Sequence, residues 1–203
     1  KEVGYYNVAV KMTKIIIPLI TSLGLVLAPR MIEKIKNKEK ESLIKDMDLY
    51  LNFIFFISIP TVCVLFILSN NIVLIFSGKK YLESILPMQI MLPIIIFIPI
   101  SGFSAGQILI PYDKESIVFK VSLIGLGSNF LLNFLLIPKY GILGAGTATL
   151  ITEFLVCIFR FYKVKKIFKE YNMFTKERSI YIITSLLSFI ICIFLKYFSK
   201  ILD

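Results

Sequence analysis

The sequence predicts an all-α integral membrane protein, a polytopic bundle of about six transmembrane helices. Three observations predict it. Hydrophobic residues make up 57% of the 203 and charged residues only 18%, where an ordinary soluble chain carries about a quarter charged. With a mean hydropathy of +0.84, the chain lacks the polar residues to cover a soluble surface, and it is far too apolar for disorder. Apolar runs recur at the length of about 20 residues that crosses ~30 Å of hydrocarbon as helix. These runs do not alternate apolar with polar, as barrel strands do. An open backbone in lipid must satisfy its own hydrogen bonds, which leaves helix.

Six segments qualify, near 5–28, 49–76, 85–111, 117–137, 142–162 and 179–198. In the first, Lys11 and Lys14 are three apart and share a face; Pro18 and Ser22 continue that stripe. Either both lysines snorkel to headgroups, or they face a wet cavity and hold an anionic group. The second segment carries Pro60, which predicts a kink. The third carries Pro87, Pro93, Pro99 and Pro111, with Gly102 and Gly106 as a GxxxG pair that lets helices approach closely. The fourth has Ser122, Gly125, Asn129 and Asn133 on one helical face, as packing glue or as the lining of a polar path. The fifth has Gly146, Thr149, Glu153 and Arg160 on one face. A carboxylate at Glu153 must be protonated, paired or wet. Lys11, Lys14 and Arg160 are its candidate partners, and proton or sodium coupling at Glu153 is the sharpest alternative. The sixth segment, 179–198, is an additional helix.

The connections sort by charge. The segment 30–48 holds Arg30, Lys34, Lys36, Lys38, Lys40 and Lys45; the segment 163–178 holds Lys163, Lys165, Lys166, Lys169, Lys176 and Arg178. Four spans separate them, so they share one face of the membrane. The positive-inside rule makes that face cytoplasmic. The opposite connections, 77–84 and 138–141, are short and hold only Lys79, Lys80 and Lys139. We read 30–48 as a solvated linker attracted to anionic headgroups. No Gly-rich phosphate loop or aromatic-interleaved basic strand argues for nucleic acid, so the net charge of +10 is a matter of topology.

Histidine is absent. That excludes a Ser-His-Asp or Cys-His dyad and any His-ligated metal site within the chain. Cys63, Cys157 and Cys192 lie singly in apolar runs without zinc-like spacing. No cofactor or metal is expected. The chain starts at Lys1 and enters an apolar run almost at once, which predicts a fragment or a processed piece.

The run Val3-Gly4-Tyr5-Tyr6-Asn7-Val8-Ala9-Val10-Lys11 resembles the start of a helix in the polysaccharide-biosynthesis flippases (O-antigen or Wzx-type) of the multidrug/oligosaccharidyl-lipid/polysaccharide exporter superfamily. The helix end Val26-Leu27-Ala28-Pro29-Arg30 and the third segment ending near Pro111 follow in the right order. The most specific stretch joins Asn129 and Asn133, the turn Pro138-Lys139-Tyr140-Gly141, the small-residue run Gly144-Ala145-Gly146-Thr147-Ala148 and Glu153. Gly146 stands where that family often has alanine.

The resemblance covers nearly the whole chain. It implies that residues 1–203 are the C-terminal lobe of a two-lobed transporter, with the N-terminal lobe absent from this chain. It also implies translocation of an undecaprenyl-diphosphate-linked oligosaccharide across the cytoplasmic membrane by alternating access, and no enzyme activity. Implied partners are the lipid-linked substrate, membrane lipid, the N-terminal lobe and the polysaccharide-assembly machinery. Lys11 and Lys14 would then meet the diphosphate, Gln107, Asn129 and Asn133 the sugar or cavity, and Glu153 a coupling ion. Two alternatives compete. One is a multidrug exporter of the same superfamily. The other is a membrane polymerase or ligase, which the short outward connections disfavour.

Overall fold

The computed structural model describes residues 2–169 and, beyond them, residues 171, 175, 178–181, 183, 184, 187, 189 and 190. The described part is all helical. Within residues 2–169 six α-helices run in order: α1 (Glu2–Lys14), α2 (Ile17–Lys36), α3 (Lys40–Ser77), α4 (Ile85–Met91), α5 (Ile94–Phe103) and α6 (Glu115–Ile167). A 3₁₀ turn, Lys79–Ser84, leads into α4, and a π-helical turn, Ser104–Leu109, continues α5. Most of the segment 179–198, Cys192 included, lies outside the described residues.

The helix breaks follow from backbone chemistry. Pro18 has no N–H to give the Lys14 carbonyl, and the axis bends 42° between α1 and α2. The stripe expected to run from Lys11 through Ser22 is therefore interrupted. Pro93 likewise cannot bond Gln89, and the segments on either side of it meet at 51°. α3 stops where Gly78, at φ +81°, turns its N–H back to Val73 and Leu74 at 3.1 and 3.0 Å.

Gly141 divides α6, with φ +54° and ψ −129°. A straight helix of 53 residues would be ~80 Å long, more than twice the ~30 Å hydrocarbon core. Instead the second limb (142–167) folds back along the first (115–140). The seam is marked by Gly125 beside Val156, Asn129 bonded to Thr152 and Arg160 bonded to Ser122.

α3 buries one face, Leu43, Met47, Tyr50, Leu51, Ile54, Phe55 and Ile59, at the three-and-four spacing of a helix. The remaining apolar surface is outside. Val26, Ile75, Phe130 and Phe134 are each more than 70% exposed, and water tolerates no such apolar expanse on a monomer. The protein is a membrane protein, and α3, α6 and the two bent pairs are long and apolar enough to cross a bilayer.

The expected GxxxG contact is not made within the described residues. A Cβ on Gly102 or Gly106 would meet nothing within 4 Å. Both glycines are exposed, and the π turn beginning at Ser104 alters the helical phase between them. Close packing falls instead to Gly24, Gly125 and Gly144.

Contacts sort the connections onto two ends. At one end the Glu2 carboxylate lies beside Gly141 and the Tyr5 ring stands edge-on to Tyr81 at 6.0 Å. At the other, Tyr112 meets Phe168 at 5.7 Å, and Tyr171 donates to Asp48 at 3.0 Å. The two basic segments thus share an end.

That basic end is not simply solvated. Lys34 is 7% exposed and bonds Asp46, 3% exposed, at 2.5 Å; Arg30 reaches the other Asp46 oxygen at 3.2 Å. Arg178 is fully buried, pairs with Asp48 and donates to Asn52 at 2.7 Å. Charges out of water need such partners, so part of the expected linker is built structure. Burial, the leading cause, pushes the Tyr171 phenol well above its ordinary value; Arg178 opposes and Asp48 reinforces that rise.

Candidate functional site

The polar groups between the two ends form three clusters. The first lies where α1 meets the second limb of α6. The Tyr6 and Thr149 hydroxyls are 2.8 Å apart. Since Glu2 sits beside Gly141, α1 and the second limb run in the same direction from that end. Lys14 therefore travels along the limb towards Glu153, and both Lys14 and Arg160 lie within electrostatic reach of that carboxylate. Among the described residues Glu153 makes no ion pair within 4 Å. Lys14 is exposed, Glu153 half-buried. Lys14 also sits in the last turn of α1, where unpaired carbonyls favour a cation. Lys11, one turn earlier, is exposed.

The second cluster is the α6 seam. Asn129 donates to the Thr152 hydroxyl at 3.3 Å, and Asn133 donates to the Asn129 side chain and main chain, both at 2.9 Å. Both asparagines stay half-buried. Their stripe is used between the limbs and keeps an accessible edge. Arg160 completes the seam. It donates to Ser101 on α5 at 3.0 Å and to Ser122 on the first limb at 2.8 Å, joining three helices. Its Nε is buried with no hydrogen-bond partner.

The third cluster belongs to the π turn. Gln107 donates to the main-chain oxygen of Gly24 on α2 at 3.3 Å, while its own side-chain oxygen is buried and unpartnered. Buried acceptors without donors are costly and rare, and π turns recur at functional sites. On the same stretch of α2 the Tyr50 ring fills the space a Gly24 side chain would take, 2.8 Å from a Cβ there.

The structure thus sets Lys14 within electrostatic reach of Glu153 without an ion pair, groups Asn129 with Asn133, and holds Gln107 apart, in the π turn against α2. The Tyr6–Thr149 contact and the bonds of Arg160 to Ser101 and Ser122 were not foreseen. Arg160 was visible as a cation on the Glu153 face, but its serines lie on other helices, beyond the reach of spacing along one helix. Cys157 is buried in the core and Cys63 half-buried. No cluster of three or more potential metal ligands occurs among the described residues.

The protein-family model described as lipid II flippase MurJ matches residues 3–202. Over 113 residues the chain is 34% identical to the capsular polysaccharide biosynthesis protein CapF of Staphylococcus aureus, covering 56% of this chain and 28% of that protein. Over 192 residues it is 27% identical to an uncharacterized membrane protein of Methanocaldococcus jannaschii, covering 95% of this chain and 38% of the relative. Among solved structures, a lipid II flippase MurJ in an inward closed conformation superposes with a TM-score of 0.66 at 18% identity, over 98% of this chain and 48% of that one. That likeness concerns the fold. The chain spans less than half the length of each of these relatives.

Proposed function

The chain belongs to the lipid II flippase MurJ family, and from that premise we propose that it is one lobe of a flippase for a polyprenyl-diphosphate-linked saccharide. The cargo we favour is a polysaccharide repeat unit of the capsule or O-antigen kind, carried across the cytoplasmic membrane by alternating access. The identity with the capsular polysaccharide protein supports that cargo. Its name says nothing of a reaction, and translocation needs no bond made or broken.

One observation carries the reading: Glu153 on the second limb has two cations within electrostatic reach, Lys14 at the break after α1 and Arg160 at the α6 seam, within the span of two membrane-length elements. Charges are expensive in lipid and mark pathways there. A diphosphate needs cations and a sugar needs hydrogen-bonding amides to replace water. Lys14, with Lys11 on the same face, would take the diphosphate. Asn129, Asn133 and the spare oxygen of Gln107 would meet the sugar. Glu153, facing two cations, would bind the coupling ion. The bends at Pro18 and Pro93 give hinges for rocking this lobe against an N-terminal one.

The test is charge removal in the full-length protein. Lys11→Gln with Lys14→Gln should abolish surface polysaccharide at normal membrane expression. Normal output from that variant would end the diphosphate role. Depletion of the protein should remove surface polysaccharide while cell-wall synthesis continues; loss of the cell wall itself would reassign the cargo to lipid II.

A further inference from the structure

A cavity opens beside the second limb of α6, lined by none of the proposed cargo or coupling residues. Between α3, α5 and the second limb of α6 runs a groove of about 440 Å³, walled by Phe55, Phe97, Ile100, Phe154 and Phe161. The Phe97 and Phe154 rings meet at 5.2 Å at its wall. Its mouth is formed by Tyr162 and Lys165. The same two residues open onto a second hollow, of about 460 Å³, shared with Lys166 and Lys169. The Lys166 ammonium sits over the Tyr162 ring at 4.9 Å, which holds one cation at the lip. Among the described residues no acidic side chain lines either space.

We propose that this continuous feature binds one anionic phospholipid of the surrounding bilayer. An acyl chain fills the aromatic groove, and the phosphate rests on Lys165, Lys166 and Lys169. The charge pattern selects this occupant. A helix from another protein would fill the groove but leave three ammonium groups facing one another. A phospholipid supplies the hydrocarbon and the anion in one molecule. Position agrees: the lysines lie at the basic end, which faces the anionic leaflet under the orientation favoured above, and tyrosine is an interface residue.

The occupant is distinct from the transported lipid. On the second limb, Phe154, Phe161 and Lys165 point roughly a third of a turn away from Thr149, Glu153 and Arg160, with Cys157 between the two faces. Neither Lys14, Glu153 nor Arg160 lines the groove. The proposal therefore does not require that cluster to carry saccharide.

The experiment is native mass spectrometry of the delipidated full-length protein, titrated with dioleoyl-phosphatidylglycerol or dioleoyl-phosphatidylcholine. One phosphatidylglycerol should be retained at a concentration about tenfold below that needed for phosphatidylcholine. Lys165→Gln, Lys166→Gln and Lys169→Gln together should erase the preference and leave phosphatidylcholine binding unchanged. Ile158→Trp, at a half-exposed position on the groove wall, should weaken retention with the lysines intact. Equal retention of the two lipids overturns the proposal, as does a preference that survives the triple substitution or retention unaffected by Ile158→Trp. Displacement of the bound lipid by undecaprenyl diphosphate also overturns it, by giving the groove to the cargo. Absence of any bound lipid does so too, by giving it to another part of the polypeptide.

Discussion

The main-chain oxygen of Leu136 stands 2.4 Å from the point a Cβ on Gly144 would occupy. This contact lies just beyond the Gly141 turn, where the limbs of α6 meet backbone to backbone. Its neighbour Gly146 is different: a Cβ there would meet Met91 and the Pro87 oxygen at 3.5 Å, ordinary contact. Gly144→Ala must therefore push backbone from backbone and open the seam. We expect a loss of at least about 1–3 kcal/mol, the usual cost of overpacking, read as a lower melting temperature of the purified protein. Gly146→Ala, the residue common at this position in the resembling flippases, should be neutral within about 0.5 kcal/mol.

The same reasoning applies on α2. A Cβ on Gly24 would fall 2.8 Å from both Cζ and Oη of Tyr50, whose ring is pinned against Phe103 at 4.5 Å between centroids. Gly24→Ala should destabilise by about 1–3 kcal/mol. Tyr50→Leu in the same chain should restore part of that loss, because leucine stops short of the clash. Thermal unfolding of the two single variants and the double variant gives the coupling directly.

How much of this was readable beforehand depended on the range of each signal. The apolar runs, the bends at Pro18 and Pro93 and the turn at Gly141 are local, written in residue type and spacing. So is the stripe from Ser122 to Asn133. What pairs with that stripe is not local. Arg160 meets Ser101 and Ser122, 59 and 38 residues away, and Tyr6 meets Thr149, 143 residues away. Periodicity along one helix says which face is polar, not which helix it meets. The GxxxG pair makes no close contact among the described residues for a related reason. The motif records small residues, but the π turn sets their direction, and no residue in the run announces that turn.

The basic end gives a stability test. Asp46 holds buried Lys34 and the largely exposed Arg30. Asp46→Asn would leave the Lys34 ammonium buried without a counter-charge, at a cost of about 3–5 kcal/mol. Arg30→Gln removes only a solvent-screened partner and should cost less than about 1 kcal/mol. Denaturation of the two variants in one detergent should show this order. Equal losses would mean that Lys34 is not confined as described.

Orientation is open to labelling. Lys40 and Lys139 are both exposed and lie at opposite ends. With the basic end inside, Lys40→Cys should react with an impermeant maleimide only after the cells are opened. Lys139→Cys should react in intact cells. The reverse pattern would invert the lobe and remove the argument from cytoplasmic lysines.

Ion coupling gives the sharpest functional test. Glu153 lies within reach of two cations, Lys14 and Arg160, so the three charges should act as a set. Glu153→Gln leaves the cations without their anion and should abolish the response of transport to an imposed proton or sodium gradient. Lys14→Gln removes one cation but leaves Glu153 ionisable, so a gradient response should persist while cargo binding falls. Lys14→Gln with Glu153→Gln should be impaired by less than the two single losses combined, because each substitution relieves the imbalance made by the other. Reconstituted full-length protein with a fluorescent lipid-linked saccharide, assayed at fixed membrane potential, separates these outcomes. A gradient response unchanged in Glu153→Gln would assign coupling elsewhere and leave Glu153 as a charge that only balances its two cations.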